Sequence, residues 1–417
     1  MSLTNAHKIK KLSGTSRGRM RLTTRNPRKP IKIGIVGTGF IASGLSQTIG
    51  EYEDWVVSRV LTRRPLQSCT GFPLPSRLTN SVYELIDHAD LIVECSGDAV
   101  HATGVIAKAL EASLPVVTMN SEFHVTTGSY FVGRGVLTEA EGDQPGNLAA
   151  LREDARAMGF QPLVYGNVKG FYDPNPTFED MNYWSKKQGI SLRTVTAATD
   201  GTKIQFEQAL VANGFGADIV QSGLLGFELD DIDKGGCLLA EEAKRVGAPI
   251  SDYILHPKSE VRIFIVGEHH PRNKEALRYL KMGAGPYYLL QHNTILTYLE
   301  IPKTIRRILD GGLPLLDNSS HPRVSIAAVA KRQLLPGEQI ERGIGSFDAR
   351  GIAVRIVEHP GHLPIGLMAN ATITRPVEPG QIISFDDVEI PPSLAAEIWE
   401  TIQIDVVERC ENVMRDA

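Results

Sequence analysis

Cysteine is scarce in this chain: Cys69, Cys95, Cys237 and Cys410 are the only four in 417 residues, far apart and without CxxC or Cys/His spacing. That excludes a disulfide-stapled scaffold and a cysteine zinc site, and it points to a reducing compartment, so a cytoplasmic location is expected. No run reaches the ~18 uninterrupted apolar residues that a membrane span needs, and no secretory signal is read, so no membrane partner is expected. Residues 1–30 lack Asp and Glu altogether but hold nine Lys and Arg. Such a basic, apolar-poor stretch is expected to be a disordered tail, with a targeting peptide or nucleic-acid arm as alternatives. The net charge is −4, so the body beyond the tail is clearly acidic. It extends no basic surface, and nucleic acid is not an expected partner.

What is present begins at Ile31. An apolar, β-branched run enters Gly37-Thr38-Gly39-Phe40-Ile41-Ala42, and a helical pattern (Ile41, Leu45, Ile49) follows. In that context a GxGxxA turn reads as a dinucleotide site: Gly37 for the tight turn, Gly39 for close approach of a pyrophosphate, Ala42 for helix–strand packing. From there to Gly159, short β-branched runs alternate with helical stretches. Strands are expected at Lys32 to Val36, Trp55 to Leu61, Leu91 to Cys95, Val116 to Met119 and Gln161 to Tyr165. The fold class is therefore α/β, a doubly wound Rossmann sheet, whose ligands bind beyond the carboxyl ends of the strands. That rule nominates Gly37, Thr38, Gly39, Phe40, Ile41, Thr62, Arg63, Arg64, Cys95, Ser96, Gly97 and Asn120 as cofactor-binding. After Lys169 the break Asp173-Pro174-Asn175-Pro176 opens a mixed α+β region. Near His321 a β-rich unit begins, punctuated by Pro336-Gly337, Pro360-Gly361 and Pro379-Gly380. Its segments 335–340 and 377–382 resemble each other, which suggests a pseudo-symmetric pair of hairpins, and a last helix from Leu394 is expected to pack back on the body. The expected organisation is a tail over 1–30, a cofactor domain over 31–168, a substrate-side domain over 169–320, and a C-terminal module over 321–417.

The second strand ends in Thr62-Arg63-Arg64, with no acidic residue to accept a ribose 2′-OH. Arginine pairs bidentately with phosphate, so NADP(H) is favoured over NAD(H). Hydride transfer also needs a group that handles a proton at the carbonyl or alcohol oxygen. Lys169, in Gly166-Asn167-Val168-Lys169-Gly170, and Lys203, at the start of the helix carrying Glu207, are the candidates, with Asp200 or Glu122 as orienting partners. His124 reads as structural. A divalent metal is left open, since Glu122 and Asp200 form no recognised ligand spacing.

Read in order, Val36-Gly37-Thr38-Gly39, Gly142-Asp143-Gln144-Pro145-Gly146, Lys169-Gly170, Asn175-Pro176, Asp200-Gly201-Thr202-Lys203, Ala212-Asn213 and Lys281-Met282-Gly283-Ala284-Gly285-Pro286 resemble the homoserine-dehydrogenase-like oxidoreductases. The stretch from His362-Leu363-Pro364-Ile365-Gly366-Leu367 to Phe385-Asp386-Asp387-Val388 resembles half of the SAF (antifreeze-like) module that some of them carry at the C-terminus. The resemblance implies a Rossmann domain, an oligomerising catalytic domain (a homo-oligomer, dimer or tetramer), and NAD(P)-dependent chemistry on a small carbonyl or sugar phosphate. One branch resembles a reductoisomerase acting on 1-deoxy-D-xylulose 5-phosphate. Homoserine dehydrogenases have Asn-Lys where this chain reads Asn120-Ser121-Glu122, so homoserine is not carried over as substrate. A homoserine or semialdehyde-type dehydrogenase and a catalytically idle NADP(H)-sensing protein stand as the alternatives.

Overall fold

The computed structural model describes residues 29–416, with side chains through residue 412; the tail expected over 1–30 lies almost wholly outside the described residues. The chain opens as β1 (Ile31–Val36), α1 (Phe40–Ile49), β2 (Trp55–Leu61), β3 (Leu78–Thr79), α2 (Val82–Asp87), β4 (Leu91–Glu94), α3 (Ala99–Glu111) and β5 (Val116–Thr118). Two short turns, α4 (Ser121–Phe123) and α5 (Ser129–Phe131), flank a π-helical stretch at His124–Gly128 and lead to β6 (Leu137–Glu139). These six strands form one parallel sheet in the order β3-β2-β1-β4-β5-β6, the doubly wound arrangement, whose switch point falls between β1 and β4. Ile33, Ile35, Ile92, Val93, Val116 and Val117 are wholly buried, which is why these strands read as continuous apolar runs rather than alternating ones.

One expectation is corrected here. The run expected as the fifth strand of this sheet, Gln161 to Tyr165, continues to Lys169 as β7 and is the central strand of a second sheet. Periodicity marks a strand without naming its neighbours, and β7 finds β10 on one side and β9 on the other. The parallel sheet therefore ends at Glu139, and its remaining strands, β3 and β6, are two and three residues long, too short to show a period.

The second layer consists of α6 (Gln144–Ala157), β7 (Gln161–Lys169), α7 (Phe178–Gln188), α8 (Leu192–Thr199), α9 (Thr202–Phe215), β8 (Phe227–Glu228), α10 (Ile232–Val246), β9 (Ile250–Leu255), β10 (Ile263–Glu268), α11 (Lys274–Tyr279), β11 (Tyr287–His292) and α12 (Ile301–Leu309). Its sheet runs β11-β10-β7-β9-β8. The third unit holds β12 (Val324–Ala330) paired with β14 (Ala349–Arg355), and β13 (Gln339–Ile340), β15 (Ala371–Ile373) and β16 (Val388–Glu389) in a small antiparallel sheet. The Pro336-Gly337 and Pro379-Gly380 turns are related: Leu334 and Val377 exchange backbone hydrogen bonds at 2.9 and 3.0 Å, and the turn glycines Gly337 and Gly380 each donate to a strand of the opposite hairpin, at 2.8 Å. The final helix, α13 (Leu394–Asp416), packs on α3 and the π-helical stretch.

Helix α9 ties the layers together. It runs between Gly201 and Gly216, both at positive φ, and is buried from Ile204 to Asn213. A helix buried on all sides must satisfy its polar side chains internally. Gln208 donates to the Tyr165 carbonyl of β7 (2.9 Å), Gln205 accepts from Ala353 of β14 (2.8 Å), and Asn213 donates to Val324 of β12 (2.8 Å). These bonds fix the helix in rotation, and with it the residues of its first turns.

Candidate active site

The turn after β1 is built by its glycines. Gly37 has φ +112°, and a Cβ there would stand 3.0 Å from the Cys95 carbonyl; its N–H donates to Leu61 at 2.9 Å. A Cβ on Gly39, by contrast, would meet nothing within 4 Å, so the turn faces open space at the N-terminus of α1. That space is a cavity of about 330 Å³ lined by Gly37, Thr38, Gly39, Thr62, Cys95 and Ser96, with Arg63, Arg64 and His101 on its far wall. A second cavity of about 650 Å³ shares Thr62, Arg63, Arg64 and His101 and continues to Asn80 and Lys108. Thr38 and Thr62 hydroxyls meet at 3.2 Å, and Arg63 is ion-paired to Asp98 at 2.7 Å. Phe40 is 62% exposed and packs edge-on to Tyr298, while Ile41 is half-buried. Gly97 accepts from Arg193 at 2.6 Å. The buried Ser96 hydroxyl has no partner, and the glycine cradle beside it is open, so this edge fits a dinucleotide.

Along the same sheet edge lie three wholly buried ionisable groups. Glu94 ends β4, accepting from the Ser96 N–H (2.7 Å) and the Thr118 hydroxyl (3.0 Å); burial nevertheless pushes its carboxyl up. Glu139 ends β6 and His124 opens the π-helical stretch, their closest approach being 3.5 Å. Neither His124 nitrogen and neither Glu139 oxygen has a hydrogen-bond partner. Burial drives His124 down to about 3, so its ring is neutral at pH 7, and pushes the Glu139 carboxyl well up, helped by the charges of Asp143 and Glu122. Burial, reinforced by the charges of Glu94 and Glu139, also pushes the Cys95 thiol up. Asn120, wholly buried after β5, caps α4 by accepting from Phe123 at 3.0 Å.

Against this edge stands the charged half. Lys203, in the first turn of α9, donates to both Asp143 oxygens at 2.9 Å and to Glu207 one turn on. Burial opposes its charge, but Asp143 and Glu207 outweigh it and hold the ammonium well above its usual range. Glu207 is pushed up to about 7 by burial, against the pull of Lys203, and its other oxygen accepts from Asn167 of β7 at 2.7 Å. Lys169, at the end of β7, donates to the Ala198 carbonyl; burial lowers it, countered by Glu207 and reinforced by Lys203.

The structure thus brings Lys203 and Lys169 together, with Asp200 wholly buried, salt-bridged to Lys331 at 2.7 Å, bonded to the Thr202 N–H at 2.9 Å and acting on Lys169 through its charge. The carboxylates that hold Lys203 are Asp143 and Glu207 rather than Asp200. Glu122 is half-buried and acts on the site through its charge on Glu139. Among the described residues, no group of three or more His, Cys, Asp or Glu could hold a metal. Asp143 carries a signal that motif reading passed over. It stands between Gly142, whose Cβ would strike the Thr297 carbonyl, and Gly146, whose Cβ would strike Ala140; such crowding fixes the start of α6.

A Rossmann-type sheet whose strand ends face a half-buried lysine held by two carboxylates is the architecture of an oxidoreductase, and this chain is one. Residues 142–301, which hold Asp143, Lys169, Lys203 and Glu207, match the family model described as oxidoreductase DRL, catalytic domain. No curated protein matches the chain in sequence. Solved structures similar to it include a probable dehydrogenase from Thermotoga maritima (12% identity, 69% of this chain and 91% of that one, TM-score 0.40). A NAD-binding protein from Listeria innocua is similar at 10% identity, 70% and 90% coverage and TM-score 0.36. The UDP-N-acetylglucosamine 3-dehydrogenase GnnA from Acidithiobacillus ferrooxidans is similar at 10% identity, 69% and 92% coverage and TM-score 0.40. Among the described residues no helix is long and apolar enough to cross a membrane.

Proposed function

We propose that the protein is an NADPH-dependent reductase, or reductoisomerase, of a small polar carbonyl compound, with sugar phosphates such as 1-deoxy-D-xylulose 5-phosphate as the substrate class to test. The observation that carries this reading is the convergence of Lys203 on Asp143 and Glu207, with Lys169 alongside, at the carboxyl edge of the parallel sheet. Scattered, solvent-facing lysines would have favoured an idle, nucleotide-sensing protein. A reduced nicotinamide supplies, when bound, the hydride for the carbonyl carbon; Gly37, Gly39 and Ser96 would hold the dinucleotide, and Arg63 and Arg64 its 2′-phosphate. Lys203 delivers the proton that the developing alkoxide takes up. Asp143 fixes the direction of the ammonium, and Glu207, with its carboxyl raised toward neutrality, returns a proton to the amine. Lys169, cationic and partly desolvated, stabilises the oxyanion.

The test is turnover of NADPH against a panel of aldehydes, ketones and sugar phosphates, with Lys203→Met alongside. Loss of a proton donor in the transition state is expected to lower kcat by about 10²- to 10⁴-fold with the NADPH Kd unchanged. Retained kcat in Lys203→Met would sink the assignment. No product from 1-deoxy-D-xylulose 5-phosphate at saturating NADPH and divalent metal removes the reductoisomerase branch.

A further inference from the structure

We propose that Asp98 is a specificity-determining residue: it competes with the ribose 2′-phosphate for Arg63 and so sets how strongly that phosphate is bound. The inference rests on the NADPH reading above. Arg63 stands where the two cavities join, and neither cavity is lined by an Asp or Glu. The anion paired with Arg63 is instead the N-cap of α3, where Asp98 Oδ2 takes the Arg63 guanidinium at 2.7 Å.

The two partners are not equally free to move. Asp98 is anchored, because Oδ1 accepts the His101 N–H at 3.0 Å and caps α3. Its side chain is 23% exposed, whereas that of Arg63 is 62% exposed and belongs to the loop after β2. A dianionic phosphate entering the junction can therefore draw Arg63 away while Asp98 stays in place. Asp98 does not become an uncompensated charge when this happens. The N-terminus of α3 and Arg193 remain beside it, the latter pinned to the Gly97 carbonyl at 2.6 Å. The exchange is one charge-assisted pair for another, so the phosphate recovers only the difference between them. Arg64 lines both cavities and Lys108 the larger one, and through them the phosphate gains contacts for which Asp98 does not compete.

Removing the competing charge while keeping the cap isolates this effect. Asn caps helices as well as Asp does, so Asp98→Asn is expected to melt with the wild type. The probes are adenosine 2′,5′-bisphosphate and adenosine 5′-monophosphate, titrated calorimetrically without substrate. Asp98→Asn should bind the bisphosphate about two- to fivefold more tightly, the range set by an exposed ion pair, and the monophosphate unchanged. The gain should vanish in Asp98→Asn/Arg63→Ala. Equal tightening of both nucleotides, no tightening, or a gain that survives loss of Arg63 would each overturn the inference. The cofactor reading fails separately: if Arg63→Ala/Arg64→Ala leaves the preference for the bisphosphate intact, the arginines do not read the phosphate at all.

Discussion

The two halves of the site are built in opposite ways. The glycine turn offers a ligand backbone amides, an open cavity and few charges, and almost all of it comes from β1, α1 and the ends of β2 and β4. The Lys203 half is dense in charge and draws its members from α6, β7 and α9, with Lys203 and Asp143 lying 60 residues apart in sequence. The first can be assembled by local chain geometry. The second exists only once two layers have docked, so its cost is borne by long-range packing, to which the buried Lys331–Asp200 pair contributes.

Breaking that support gives the largest stability effect expected. Lys331 is 4% and Asp200 0% exposed in the side chain, and Lys331 also donates to the Ser346 carbonyl at 2.6 Å. Lys331→Met leaves the Asp200 carboxylate buried with only the Thr202 N–H, and breaking a buried pair on one side costs about 3–5 kcal/mol. Chemical denaturation should show that loss. Lys331→Met/Asp200→Asn should recover part of it, and a Lys331→Met protein as stable as wild type would remove the idea that this pair anchors α9.

Acid should act next most strongly, and through the region between the halves. His124 is neutral in the folded state, lowered to about 3 by burial, and His362 in the C-terminal module is lowered to about 4, also chiefly by burial. Below their ordinary value of about 6.5, the unfolded chain binds more protons than the folded one, so stability falls as pH drops through that window. Each histidine should cost about 2 kcal/mol by pH 5. His124→Leu removes two unpartnered nitrogens as well, so its denaturation midpoint should hold at pH 7 and fall less steeply from pH 6.5 to 5. A slope identical to wild type would show that His124 is solvated in the folded protein.

The same contrast explains what could be read from residues alone. Gly37, Thr38, Gly39, Thr62, Arg63 and Ser96 line one cavity, because the first three form one turn contiguous in sequence and the others follow the carboxyl ends of neighbouring strands of the same parallel sheet. Lys203 and Lys169 were visible as lysines beside glycines. Their partners were not, since an aspartate in Gly142-Asp143-Gln144-Pro145-Gly146 looks like a helix cap until α6 is laid against α9. Asp200 was legible as a charge near the lysines but not as a buried ion pair: it ends α8, acts on Lys169 through its charge, and accepts from Lys331, 131 residues on. β7 was legible as a strand and illegible as a member of a sheet, and Glu139 and His124 gave no signal because burial, not sequence neighbours, sets their protonation.

The smallest effect expected is the one confined to the local half. Gly37 has φ +112°, which an L residue adopts only under strain, and an alanine Cβ would press on the Cys95 carbonyl at 3.0 Å and its carbon at 3.2 Å. Relief requires the turn to move away from β4, which costs roughly 1–3 kcal/mol and is felt where the dinucleotide would lie. Gly37→Ala should therefore weaken NADPH binding by about tenfold, while kcat at saturating NADPH stays near wild type because the Lys203 half is built on α6, β7 and α9 rather than on the turn. The paired measurement is a Kd from cofactor fluorescence and a kcat at high NADPH. If kcat falls in step with affinity, the turn also positions the reacting carbon, and the division of the site into a local binding half and a long-range chemical half does not hold.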